Sequence, residues 1–93
     1  MVNLHLGSNV SVPVEDIIGI FDLDNVSISR ITRAYLRAAE EEGMVINVGE
    51  DLPKSMVVCC PVGSWQRVYI SHLASATLFG RLDAIRLERR VVL

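Results

Sequence analysis

Two short apolar runs constrain the fold more than any other feature of the chain. They are Asp16-Ile17-Ile18-Gly19-Ile20-Phe21-Asp22 and Ser55-Met56-Val57-Val58-Cys59-Cys60. Neighbouring side chains on a strand point to opposite faces, so a strand built from either run needs apolar cover on both sides. Shorter stretches around them alternate as a half-buried strand does. Val2, Leu4 and Leu6 are separated by Asn3 and His5, and Val10, Val12 and Val14 follow the turn residues Gly7-Ser8-Asn9. Pro13 removes a ladder donor from that second stretch, which predicts an edge or a bend there. Met44 to Val48 and Arg67 to Ser71 read as two further strands. Gly49 to Pro53 and Pro61-Val62-Gly63-Ser64 turn the chain.

Two helices are expected between and after these strands. Ser27 is placed to cap the first, because its hydroxyl can accept a free first-turn N–H. Ile28, Ile31, Tyr35 and Ala38 then recur at three- and four-residue steps and predict its apolar stripe. Gly43 sits where a helix ends in a left-handed residue. The second helix starts near Ser75, with Leu78, Leu82 and Ile85 on its inner face and Arg81, Arg86, Arg89 and Arg90 making its end basic. Val91-Val92-Leu93 closes the sequence with apolar residues.

The pattern predicts one α+β domain over residues 1–93, with a mainly antiparallel sheet of about five strands and two helices. Ile18, Ile20, Ile31, Tyr35, Val57 and Ile70 are expected to be buried. Two helices cover one face of such a sheet and leave the other bare, so a second copy of the chain is the simplest cover for it. Composition agrees. Of 93 residues, 51% are hydrophobic but only 5% aromatic. A domain this small buries roughly two-thirds of the surface its unfolded chain exposes, so part of that apolar content is expected at a subunit interface.

The sequence offers little to an enzyme. It has no Gly-rich phosphate loop and no nucleophile elbow, and His5 and His72 are its only histidines. His5 falls on an outward strand position and His72 at a strand end. Cys59 and Cys60 are adjacent, so they point to opposite faces and suit neither a bridge nor a shared zinc. Reduced thiols in a reducing compartment are expected. Asp22 and Asp24 flank a loop and Glu50 and Asp51 occupy a turn, where paired acids are usually solvated. No catalytic residue, metal or cofactor is expected. No signal peptide or membrane-spanning run is evident, which points to the cytoplasm.

Net charge is −2, so charge balance gives no support to nucleic-acid binding and leaves only the option of a local basic face. The first helix carries one. Arg30, Arg33 and Arg37 share a face by their spacing, and Glu40, Glu41 and Glu42 follow at its C-terminal end. This order opposes the helix dipole, which favours acids first and bases last. Either the face is simply solvated, with pairs such as Arg37–Glu41, or it meets an anionic or acidic partner.

Several segments in order then carry a resemblance. They are Leu4-His5-Leu6-Gly7, the run from Asp16 to Asp22, Pro53-Lys54-Ser55-Met56-Val57-Val58, and Val68-Tyr69-Ile70-Ser71, with Leu73, Ser75, Thr77, Leu78 and Arg81 behind. Together they resemble the bacterial extracellular matrix regulatory family, specifically its RemB-like branch, over about residues 4–81, with 82–93 as a C-terminal tail. The resemblance implies a homo-oligomer, since the RemA-like branch forms rings, and a part in regulating biofilm matrix genes. RemA-like members bind DNA as transcription regulators and carry an Arg-rich run before the strand that matches Met56 to Cys60. Here Leu52-Pro53-Lys54 occupies that place, after Glu50 and Asp51, and Asp16 stands where the branch has another basic residue. Lys54 is thus the one basic contact that carries over. Two functions are expected from these readings: an oligomeric DNA-binding transcription regulator, with Lys54, Arg30, Arg33 and Arg37 as DNA contacts, or an oligomeric protein-binding scaffold with no DNA contact. A related regulator protein is a further expected partner.

Overall fold

The computed structural model describes residues 2–23 and 29–90. The chain forms β1 (Asn3–Gly7), β2 (Val10–Pro13), a 3-10 turn (Val14–Asp16), β3 (Ile17–Asp22), α1 (Arg30–Glu41), β4 (Val45–Val48), β5 (Ser55–Cys59), β6 (Arg67–Ser71) and α2 (Ser75–Arg90). The α+β class and the two helices agree with the sequence. The single sheet of about five strands does not. β1 and β2 form a separate antiparallel hairpin, and the other strands make a four-stranded sheet in the order β3-β5-β6-β4. β5 is antiparallel to both neighbours, whereas β4 runs parallel to β6. Pro13 ends β2, so its missing N–H interrupts no longer ladder.

β5 gives the sheet its two faces. Val57 and Cys59 join a core with Leu4, Leu6 and Val12 of the hairpin, Tyr69, and Leu78 of α2. Met56 and Val58 join a second core with Val68, Ile70 and Ala39 of α1. The helices therefore lie on opposite faces, not on one as the sequence suggested. The hairpin supplies the extra cover that makes this possible.

Two expectations of burial fail outright for identifiable reasons, and two are met only in part. Ile18 is 61% exposed and Ile31 82% exposed, while Ile20 and Tyr35 are only partly buried. β3 is an edge strand rather than a central one, and its register shifts between Ile17 and Gly19, leaving Ile18 without a partner in the ladder. Such a bulge re-aims a side chain, here away from the core. In α1 the inner side is Thr32, Tyr35, Leu36 and Ala39, not the stripe through Ile31 and Ala38. Leu36 and Ala39 settle the rotation by packing with Tyr35 on the Met56–Val68 side of the sheet. Val57 and Ile70 are buried as expected.

The first helix starts later than expected. Ser29 is its cap, accepting from the Thr32 N–H at 3.0 Å, while Ser27 and Ile28 lie outside the described residues. Gly43 follows its C-terminus at φ +71°, in the left-handed region. On α2, Leu78 and Leu82 are buried and Ile85 partly so, as their spacing implied. The segment read as a tail from residue 82 continues this helix to Arg90. Among the described residues no helix is long and apolar enough to cross a membrane.

Candidate functional site

An open apolar groove lies between α1 and the β3 edge. Ile18 and Phe21 of β3, Met56 and Val58 of β5, and Ile31, Thr32 and Tyr35 of α1 line this groove of about 270 Å³, together with Gln66. Phe21 is paired with Met56 across the ladder, and both stand on the α1 side of the sheet. α1 covers the middle of that side but turns Ile31 outward, so the groove stays open along β3. The Tyr35 hydroxyl donates to Gln66 Oε1 at 2.7 Å. Burial, and then the nearby Cys60 thiol, push the Tyr35 pKa up, so its proton stays on the bond at neutral pH. A surface of this make-up suits apolar side chains, with one polar pair to orient them.

The basic residues singled out from the sequence occupy two separate elements. Arg30, Arg33 and Arg37 are all exposed, on the side of α1 turned away from Leu36 and Ala39. Glu40 and Glu41 share that exposed side at its far end. Lys54 sits in the loop just before β5, where its backbone N–H donates to Ser71 O and its carbonyl accepts from the Leu23 N–H, both at 2.9 Å. Its position is thus fixed by the sheet, and its side chain is exposed beside exposed Glu50 and Asp51. The structure brings the three arginines together and leaves Lys54 on a different element.

Other ionisable groups have structural roles. Arg81 Nη1 donates to His5 O at 3.0 Å and lies 3.4 Å from His5 Nδ1, tying α2 to β1. The His72 ring packs against the Gly7 and Gly49 turns, where an added Cβ would come within 2.6 Å and 3.2 Å of its atoms. Both glycines also need positive φ, at +105° and +83°. Cys59 is buried, and that burial is the main reason its thiol pKa is pushed up to about 11. A buried thiol held neutral is a packing group. Among the described residues no cluster of three or more His, Cys, Asp or Glu is gathered for a metal.

Sequence reasoning missed the groove because it assigned Ile18 and Ile31 to the core. The signal was nonetheless present: the run from Asp16 to Asp22 has more apolar positions than an edge strand with one covered face needs. No protein-family model matches the chain, and no curated protein matches it significantly.

Proposed function

We propose that the protein is a non-enzymatic, self-assembling regulator of the extracellular matrix regulatory type, working in the cytoplasm as a closed ring. The observation that carries this reading is the open apolar groove lined by Ile18, Phe21 and Ile31. Leaving large aliphatic side chains in water wastes roughly 25 cal/mol for each Å² that a partner would cover. A repeated contact that did not close would give filaments, so a soluble assembly closes into a ring.

Double-stranded DNA is the proposed ligand of the assembly, and control of biofilm matrix genes its proposed role. One subunit offers few phosphate contacts, but a ring repeats Lys54, Arg30, Arg33 and Arg37 around its rim. Linked weak contacts then add through effective concentration. The second reading, a scaffold that binds protein alone, draws support from Glu50 and Asp51 beside Lys54 and from Glu40 and Glu41 beyond the arginines. Both pairs of acids oppose an approaching phosphate.

Sedimentation velocity and DNA binding at two salt concentrations test the proposal. The expected results are a mass well above a dimer at micromolar concentration and a DNA affinity that falls steeply with salt. Lys54→Ala should lower affinity alike on all sequences and flatten that slope by about one unit. An assembled protein that shifts no DNA at low salt leaves the scaffold reading, and a monomer removes both.

A further inference from the structure

The charge order of α1 is the feature that the domain itself leaves unexplained. Arg30 and Arg33 lie in the first turn of the helix, at the positive end of its dipole, Arg37 lies further along, and Glu40, Glu41 and Glu42 lie at its negative end. There is no acid in the first turn and no base in the last. Each misplaced charge costs a few tenths of a kcal/mol. Charge is also not all that the outer surface displays. Ile31, Ala34 and Ala38 are exposed and fall at three- and four-residue steps, between Arg30 on one flank and the groove on the other. The helix is therefore apolar over a wider arc than the domain covers: one strip, through Leu36 and Ala39, faces the sheet, and a second faces out.

We propose that this outer face of α1 pairs antiparallel with the same face of a second copy. The proposal rests on the self-assembling reading above, names the surface that one of its contacts uses, and takes Arg30, Arg33 and Arg37 off the rim, which leaves Lys54 as the phosphate contact. The charge pattern selects this occupant. In an antiparallel pair centred between Ala34 and Ala38, Ala34 lies level with the second copy's Ala38. Arg30 and Ile31 then lie level with its Glu42 and Glu41, and Arg33 and Arg37 with its Ala39 and Tyr35. Two-fold symmetry repeats each contact, so the first arginine of each helix meets the acidic end of the other. Each helix also sets its misplaced charges beside the opposite end of its neighbour's dipole. Small alanines at the crossing let the axes approach to about 8 Å, the close end of the usual range. Ile31 is covered at the same time, and the rim of the groove next to Ile18 and Phe21 is narrowed. A parallel pair would stack arginine on arginine and glutamate on glutamate. A polyanion would satisfy the arginines but would repel the glutamates and leave Ile31 in water.

Charge-swapped chains test the pairing by sedimentation velocity. The Arg30→Glu/Arg33→Glu chain carries acids at both ends of the face, with Arg37 alone between them, and the Glu40→Arg/Glu41→Arg chain carries bases at both ends, with Glu42 the one acid left. Each alone should associate at least tenfold more weakly than wild type. An equimolar mixture should recover the wild-type mass, and so should the chain carrying all four changes, whose face is self-complementary again. The swaps put acids at the helix start and bases at its end, which the dipole favours, so helical circular dichroism should hold or rise. Swapped chains that assemble like wild type, or a mixture no heavier than its parts, would overturn the pairing while leaving the self-assembly reading intact. A monomeric wild type would overturn both.

Discussion

The two faces of the four-stranded sheet are built from the same strands and end up different. On one face the β1–β2 hairpin and α2 close over Val57, Cys59 and Tyr69, and Leu4, Leu6 and Leu78 are wholly buried. On the other, α1 covers Met56, Val58, Val68 and Ile70, but Ile18, Phe21 and Ile31 stay open along the β3 edge. The difference follows from the number of covering elements. A hairpin and a sixteen-residue helix span one face, whereas a single twelve-residue helix, about 18 Å long, spans only part of the other. The hairpin face, where a smaller cleft of about 160 Å³ remains between α2 and β3, holds most of the fully buried side chains, and the α1 face is the more open of the two.

Truncation on the two faces should have the largest and most unequal effects. Leu78→Ala removes a wholly buried side chain from the sealed core and should cost about 2–5 kcal/mol, lowering the urea midpoint without changing its slope. Phe21 is the larger side chain but is 41% exposed at the groove. Phe21→Ala should cost the isolated subunit only about 1 kcal/mol, well short of a buried Phe, and should instead weaken self-association. Equal destabilisation by both changes would erase the distinction between the faces.

A finer comparison lies within the hairpin face, where Ser55 and Ser71 are direct partners across the β5–β6 ladder and both are fully buried. The Ser71 hydroxyl donates to Leu6 O at 2.7 Å and accepts from the Leu73 N–H at 3.0 Å, which fixes the hairpin to the sheet. The Ser55 hydroxyl makes no hydrogen bond. Ser71→Ala should therefore cost about 1–3 kcal/mol, because it strands a buried carbonyl and a backbone N–H. Ser55→Ala should be neutral or slightly stabilising, since it removes a desolvated hydroxyl that gains nothing in return. Thermal melts of the two variants check this directly, and a loss at Ser55 matching that at Ser71 would contradict it.

Much of the hairpin face was legible in the sequence, because its signals are local. Leu4 and Leu6 alternate with polar residues, Gly7-Ser8-Asn9 makes the turn, and Leu78 and Leu82 sit one helical turn apart. The α1 face was misread where local pattern allows two answers. α1 has one apolar strip through Ile31, Tyr35 and Ala38 and another through Tyr35, Leu36 and Ala39. Only the packing on Val58 and Ile70 decides between them. The run Ile17–Phe21 has the composition of a central strand, but its place at the edge depends on where β4 inserts, beside β6 and parallel to it. That pairing joins residues far apart in sequence, and periodicity carries no information about it. The arginine face of α1 was legible for the opposite reason: three- and four-residue spacing fixes it whichever way the helix turns.

The adjacent cysteines extend the contrast between faces to a change that costs little stability at neutral pH. Cys59 belongs to the sealed core, whereas Cys60 is partly exposed, close enough to Tyr35 on the α1 side to raise its pKa, with its Sγ 3.9 Å from Ser64 O. A thiol-specific reagent at pH 8 should modify Cys60 within minutes and reach Cys59 only as fast as the protein unfolds. Mass spectrometry should thus find one label, and Cys60→Ser should abolish it. The Cys59 pKa is raised from about 9 to about 11, by burial first and then by Asp16, with Arg67 opposing in part. The folded state holds the proton that the unfolded state gives up, so stability from this group is complete below pH 9. It is lost as the pH rises toward 11. Tyr35 titrates in the same sense, so the useful quantity is the difference between wild type and Cys59→Ala. That difference should shrink between pH 9 and 11. A difference independent of pH would mean that Cys59 is already ionised or is open to solvent, and the hairpin face would then be less closed than its packing implies.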